Sequence, residues 1–326
     1  MRRNLTTFGD NKKTGDAMEA AKKERLKKIL ISFLIAVFIT VIVVIPLLTA
    51  VVYNIIFDRR FELDEENAYS VEAFKDLRVD NCNFNSDNGQ KLAGYKYYKE
   101  NNSKAKGVIV IAHGMGCGGQ NAFMEVADAF TSAGYLVFSY DATGNGASEG
   151  DGIGGLPQGV ADMDYALKFV KKQQEYKDLP IMLFGHSWGA YSVCAVLNFH
   201  NDIDAVISVA GFNQSSDLLE QQGEKYTGAA VNLLLPYVKG YERLIFGKYA
   251  SSTAMGGFEK TNSKIMIMHS KDDVTVPVKY GYEKYHDKYK NSDRFVFELF
   301  EDKGHFTKFD GELIEIFISF YDKSLE

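Results

Sequence analysis

Pro180-Ile181-Met182-Leu183-Phe184-Gly185-His186-Ser187-Trp188-Gly189-Ala190-Tyr191 is the stretch on which the fold turns. Pro180 to Phe184 is a short, solid apolar run that reads as a buried strand, and Ala190 to Phe199 reads as a helix. Between them stands Gly-x-Ser-x-Gly. Passing from strand to helix in so few residues needs a sharp turn, and glycines two residues either side of Ser187 remove side chains that would clash in it. The serine oxygen then projects from a sheet edge. Patterns of this kind recur by chance, so the strand before it and the helix after it carry the weight.

The same rhythm extends in both directions. Arg78 to Glu100 holds two strands joined at Asp87-Asn88-Gly89, residues that tolerate positive φ. Gly107 to Ala112 is a Val-Ile-Val-Ile strand, Asn121 to Ser132 a helix and Tyr135 to Tyr140 the next strand. Gly159 to Tyr176 has helical spacing at Val160, Met163, Ala166, Leu167 and Val170. After a strand at Ala205 to Val209 the alternation stops. It resumes with a strand at Lys264 to Met268, a helix from about Val278, a strand at Arg294 to Leu299 and a helix from about Gly311. Alternation with solid apolar strands predicts the α/β class: a mostly parallel central sheet with helices on both faces, binding ligands at the carboxyl ends of its strands. The interruption, about residues 212–262, is rich in Leu, Val, Tyr and Phe between Ala229 and Phe246 and is expected to form a helical cap insertion. Those apolar residues fill an extra helical layer, line a substrate pocket, or do both.

Ahead of this body, Ile29 to Phe57 contains no charged residue. Even Ile29 to Val52 alone, as a helix at ~1.5 Å per residue, reaches about 36 Å, against about 30 Å for the hydrocarbon core of a bilayer. One N-terminal transmembrane helix is therefore expected, with Pro46 as its point of kinking. A secretory signal is the other reading, because Leu48-Thr49-Ala50 offers a small-residue cleavage site. The apolar run is about twice a usual signal core of roughly 7 to 15 residues, which favours an uncleaved anchor. Lys22, Lys23, Arg25, Lys27 and Lys28 precede the run, and only Arg59 and Arg60 follow it in an otherwise acidic stretch. The positive-inside bias then puts the N-terminus in the cytoplasm and the body outside, attached to the cell membrane. The expected organisation is a basic tail (1–28), an anchor (29–57), a linker (58–77) and one domain (78–326).

Four further motifs lie at strand ends. His113-Gly114-Met115-Gly116 follows the strand ending at Ala112, and Asp141-Ala142-Thr143-Gly144-Asn145-Gly146-Ala147-Ser148-Glu149-Gly150 follows the one ending at Tyr140. His269-Ser270-Lys271-Asp272-Asp273-Val274-Thr275-Val276-Pro277 and Lys303-Gly304-His305-Phe306 follow the last two. Together with the Ser187 turn, and in this order, they resemble the α/β-hydrolase superfamily, in particular the group of monoacylglycerol lipases, carboxylesterases and serine aminopeptidases. The resemblance runs from about Arg78 to the C-terminus. It implies an α/β-hydrolase fold and a serine hydrolase, with Ser187 as nucleophile, His305 as base and Asp273, four residues before Pro277, as the orienting acid. Asp272 is the neighbouring alternative. It also implies an oxyanion hole built from the backbone N–H groups of Met115 and Trp188, and a loop-holding role for Asp141. His113 belongs to the oxyanion turn, His186 packs beneath the Ser187 turn, and His200 and His286 read as surface residues on helices.

Composition narrows the remaining classes. At 326 residues, 46% apolar and 13% aromatic, the chain can bury a full core and is not disordered as a whole. The first 28 residues hold nine Lys or Arg against four Asp or Glu; the remainder holds 28 against 39, so the body lacks the basic stripe that nucleic acid requires. Cys82, Cys117 and Cys194 show no Cys-x-x-Cys spacing, and no His-Glu-x-x-His occurs, so neither a disulfide framework nor a metal site is expected. No cofactor is expected either. The expected substrate is a small-molecule or lipid carboxylic ester cleaved through an acyl-enzyme. Amide hydrolysis by a serine peptidase and a non-catalytic surface protein of the same fold are the alternatives.

Overall fold

In the computed structural model, which describes residues 7–66, 68–100, 104–306 and 308–326, eight strands form one sheet. They are β1 (Leu77–Asn85), β2 (Lys91–Lys99), β3 (Val108–Ala112), β4 (Leu136–Tyr140), β5 (Ile181–His186), β6 (Ala205–Val209), β7 (Lys264–Ser270) and β8 (Phe295–Phe300). Their order is β1-β2-β4-β3-β5-β6-β7-β8. The β1–β2 and β2–β4 pairs are antiparallel and the other five are parallel. Ten α-helices are described: α1 (Thr7–Ile39), α2 (Ile45–Phe57), α3 (Met124–Ser132), α4 (Gln158–Val170), α5 (Trp188–Ala195), α6 (Ser215–Thr227), α7 (Val231–Phe246), α8 (Ala254–Phe258), α9 (Tyr282–Tyr289) and α10 (Gly311–Ser324).

The central strands read as unbroken apolar runs because both of their faces are covered. Successive side chains of a strand point to opposite faces. Val108, Val110 and Ala112 of β3 enter one core with residues of α4, α5 and α9, while Ile109 and Ile111 enter a second with residues of α3 and α10. β5 divides in the same way, Leu183 to the first core and Met182 and Phe184 to the second. The helix expected over Gly159 to Tyr176 is shorter, because Gln173 takes up extended backbone (ψ 133°) between α4 and a 3₁₀ turn at Gln174–Tyr176.

Residues 212–262, between β6 and β7, contain α6, α7 and α8. α6 touches the loop after β7 through Gln221 Nε2, which donates to the Val274 carbonyl at 3.4 Å. The apolar residues of α7 divide: Val231 and Phe246 are buried, whereas Leu233 and Leu244 are 76% and 80% exposed.

The described residues separate into two compact units between Val51 and Val52. In the first, α1 leads through a π-helical turn at Thr40–Val44 into α2. Pro46 has no N–H to give to the Ile42 carbonyl and its ring crowds that oxygen, so the ladder widens just ahead of it. Helix over Asp16–Phe57 is long and apolar enough to cross a membrane, a test that a signal sequence or a buried core helix also passes. The second unit begins with the end of α2, where Tyr53 and Phe57 are 3% and 5% exposed within the first core. Tyr53 donates to Glu242 Oε1 at 2.8 Å and Tyr241 to Asn54 Oδ1 at 2.9 Å.

Candidate active site

Ser187 stands between β5 and α5 with φ 56° and ψ −115°, a conformation that a residue with a side chain adopts only when its surroundings impose it. The flanking glycines make the turn possible. A Cβ on Gly185 would lie 2.4 Å from the Gly189 carbonyl oxygen, and one on Gly189 would lie 2.1 Å from that of Ala112. The Ser187 N–H donates to the Val209 carbonyl at 2.8 Å, which ties the turn to β6.

Three of the residues singled out by sequence lie in one hydrogen-bonded line. Ser187 Oγ is 2.9 Å from His305 Nε2, and His305 Nδ1 is 2.8 Å from Asp273 Oδ2. Asp273 Oδ1 accepts the N–H groups of Thr275 and Val276, both at 2.9 Å. Burial works to raise the Asp273 carboxyl, but hydrogen bonds from His269, His305 and the Val276 N–H outweigh it and hold the group well below the usual carboxylate range. Asp272 lies apart from this line. It accepts from Ser270 Oγ at 2.5 Å and from the Gly304 N–H at 2.9 Å, so it fixes the backbone beside His305 and leaves the ring to Asp273.

His186 half-buries its ring 4.9 Å from that of His305, centroid to centroid, and its Nε2 is 2.7 Å from the His305 carbonyl oxygen. Burial, with repulsion from His305, lowers its pKa to about 4, so the ring is neutral at pH 7 and donates to that carbonyl.

The turn at His113–Gly116 abuts the serine: a Cβ on Gly114 would lie 3.1 Å from His186 Nδ1 and 3.5 Å from Ser187 Cβ. His113 accepts the Ala142 N–H at Nε2 (2.9 Å), so its proton is on Nδ1, which donates to the Gly114 carbonyl at 2.8 Å. No described residue accepts the Met115 N–H, and Trp188 is the first residue of α5, whose N–H has no partner within the helix. Asp141 holds the next loop: Oδ1 accepts the Gln120 N–H at 2.7 Å, and Oδ2 accepts the Ala147 N–H at 3.0 Å and the Tyr95 hydroxyl at 2.9 Å. Cys117 Sγ donates to the Gly114 carbonyl at 2.9 Å and is 3.5 Å from His113 Nδ1. With Nε2 of that ring occupied and Nδ1 protonated, His113 has no lone pair to take the thiol proton.

Two sequence expectations about histidine need revision. His200 is buried, because α5 ends at Ala195 and the 3₁₀ turn after it at Asn198, which lets the ring turn inward to Asp164 Oδ1 at 2.8 Å. His286 is half-buried on α9, stacked on Tyr282. His269, which sequence reasoning passed over, lies 3.3 Å from Asp273 Oδ2 and 2.8 Å from the Val276 carbonyl. Its signal was its place four residues before Asp273 at the end of an apolar strand. No group of three or more His, Cys, Asp or Glu able to hold a metal occurs among the described residues.

With this geometry in hand, comparison with known proteins places the chain. The family described as "Serine aminopeptidase, S33" matches residues 103–272, just over half of the sequence, and the chain belongs to it. A monoglyceride lipase homolog of Monkeypox virus is 34% identical over 128 residues, 39% of this chain and 45% of that one. Caffeoylshikimate esterase of Arabidopsis thaliana is 36% identical over 86 residues, 26% of each. The chain thus spans less than half the length of the curated relatives it matches. A Pyrococcus furiosus esterase structure superposes with a TM-score of 0.61 at 16% identity, over 82% of this chain and 97% of that one. The fold is that of the α/β-hydrolases.

Proposed function

We propose that this protein is a serine hydrolase that cleaves a carboxylic ester through an acyl-enzyme. The observation that carries the reading is the continuous line Ser187 Oγ, His305 Nε2, His305 Nδ1, Asp273 Oδ2, with spacings of 2.9 and 2.8 Å. His305 takes the Ser187 proton as the oxygen attacks the ester carbonyl, and returns it to the departing alcohol. Asp273 keeps the ring in the Nδ1–H form and stabilises the imidazolium. The N–H groups of Met115 and Trp188 hold the oxyanion, a contribution of about 3 kcal/mol per donor where such donors have been removed. Water activated by the same histidine then releases the acid.

Three features favour an ester with an acyl chain: the relatives named above, the apolar insertion next to the Asp273 loop, and the long apolar N-terminal helix. That helix serves in this reading as an uncleaved anchor, with its basic flank in the cytoplasm and the catalytic domain outside the cell. Amide cleavage is the second reading, favoured by the family's description as a serine aminopeptidase.

The test is hydrolysis of p-nitrophenyl esters from acetyl to palmitoyl, and of aminoacyl p-nitroanilides, by the full chain in detergent micelles beside Ser187→Ala. Ester turnover that falls by on the order of 10⁴-fold or more in the variant is expected. Faster cleavage of the anilides shifts the assignment to the amide reading. Serine-independent turnover, or none with any of these substrates by a folded wild type, overturns both.

A further inference from the structure

Residues 58–63 were expected to belong to a linker, yet their backbone is woven into the loops around Ser187. Phe61 forms a parallel bridge with Asn145: its N–H donates to the Gly144 carbonyl at 2.9 Å, and its carbonyl accepts the Gly146 N–H at 3.0 Å. Half-buried Arg60 spreads its guanidinium over three carbonyls of the same loop, Nη1 to Ser148 at 2.7 Å and Gly150 at 2.9 Å, Nη2 to Gly146 at 2.5 Å. The strap also presses on the loop that carries Met115. A Cβ on Gly118 would lie 2.4 Å from the Glu62 carbonyl oxygen, and one on Gly116 would lie 3.7 Å from the Phe61 ring.

We propose that Asp58–Leu63 is part of the frame that holds the oxyanion turn, with Arg60 as its positioning residue. The inference rests on the serine-hydrolase reading. Arg60 satisfies three carbonyl groups that lie within one five-residue span, Gly146 to Gly150, and its five fixed donors suit that cluster where a lysine would supply a single centre. The loop that contains this span, Asp141 to Gly150, is tied to Asp141 through the Ala147 N–H and connects to the oxyanion turn at two points. The Ala142 N–H fixes His113 at one end, and Asp141 fixes the Gln120 N–H at the other, so residues 113–120 are clamped on both sides of Met115. The strap closes the clamp from outside at Gly116 and Gly118. A chain with Arg60 removed keeps its nucleophile and base but no longer holds the Met115 N–H in one direction. Preorganised donors lose their effect when they must be reoriented during the reaction. The segment that follows the apolar helix is in this way mechanically joined to the reaction centre.

The experiment compares wild type, Arg60→Ala, Arg60→Lys and Ser187→Ala as full chains in detergent micelles. It reads kcat and KM on the best p-nitrophenyl ester, inhibition by an acyl trifluoromethyl ketone, and hydrogen exchange of amides 113–120. The ketone forms a tetrahedral adduct that needs the oxyanion donors, so it reports on them where KM does not. In Arg60→Ala, kcat is expected to fall 10- to 100-fold with KM within twofold, ketone inhibition to weaken by the same factor, and amides 114–119 to exchange faster. Arg60→Lys recovers part of each, and Arg60→Gln stands in if the alanine variant unfolds. Unchanged kcat and ketone affinity overturn the proposal whatever the exchange, as does a kcat loss with exchange unchanged. If the wild type shows no serine-dependent turnover, the ester reading fails separately. Exchange then decides whether the strap holds the turn: faster exchange retains it and unchanged exchange removes it.

Discussion

Ser187 can hold its positive φ because Gly185 and Gly189, having no Cβ, let the backbone on either side of it approach Ala112 and each other closely enough for the sharp turn between β5 and α5. The residues around it were legible to different degrees. Ser187, Asp273 and His305, which the structure brings into one hydrogen-bonded line, stood out because the family resemblance rests on short local patterns at strand ends. His269 was marked only by its place four residues before Asp273, and His186 acts through a partner that no local pattern announces, the main-chain carbonyl of His305. His186 has a consequence that can be measured. Its folded-state pKa, about 4, lies below the roughly 6.5 of an unfolded histidine, so between these values the unfolded chain binds a proton that the folded chain does not. The stability it contributes is whole above about pH 6.5 and is lost as the pH falls toward 4, by on the order of 2 kcal/mol. Glutamine keeps a donor near the position of Nε2 but does not titrate. Thermal melts of wild type and His186→Gln are therefore expected to converge, or to cross, between pH 7 and pH 4.5, and parallel curves across that range contradict the assignment.

Elements were read well where a strand is covered on both faces, since a run such as Val108–Ala112 leaves few other interpretations. They were read less well where helices end. The position of His200 depended on α5 stopping at Ala195, and nothing in Val196-Leu197-Asn198-Phe199 marks that stop. What draws His200 inward is Asp164 on α4, whose carboxylate also accepts from Tyr249 at 2.6 Å and from Lys168 at 2.9 Å. One buried group thus ties α4 to the end of α5 and to the 3₁₀ turn after α7. Burial alone would raise the Asp164 carboxyl, but the bonds from His200, Tyr249 and Lys168 hold it well below the usual range. Asp164→Asn leaves those donors around a weaker acceptor, at a cost of about 3 kcal/mol. A fall in Tm of several degrees at neutral pH is expected, with wild-type activity retained below the transition. Because the carboxylate's contribution is present above about pH 4 and is lost as the pH falls toward its depressed folded value, the two melting curves approach each other only in acid. Equal Tm values at pH 7 would show that the network contributes nothing.

At the scale of the whole molecule, the stretch from Val52 to Asp76 separates what composition suggests from what the chain does. Glu62, Asp64, Glu65 and Glu66 give it the look of a solvated linker, and its bonds are made largely to backbone carbonyls, which carry no sequence signature. Of the five apolar residues at the end of α2, Tyr53 and Phe57 sit in the body's core with Leu156 and Phe246, while Val52, Ile55 and Ile56 are exposed. Each such side chain, fully buried, is worth about 1.5 to 3 kcal/mol. A chain that starts at residue 78 therefore loses this burial and the Arg60 bonds together, and exposes the apolar surface they covered. A chain that starts at Val52 keeps both. Cleavage after Ala50, as a secretory signal would undergo, also leaves both intact, so the choice between signal and anchor does not alter the catalytic frame. Expressed side by side, the piece from Val52 is expected to be soluble, to melt cooperatively and to match the full chain in kcat within a few-fold. The piece from residue 78 is expected to aggregate, or to melt at least 5 °C lower with kcat reduced at least tenfold. If the shorter piece matches the longer in both melting and turnover, residues 52–77 are no more than a tether, and the serine site is built by the strands and helices that follow.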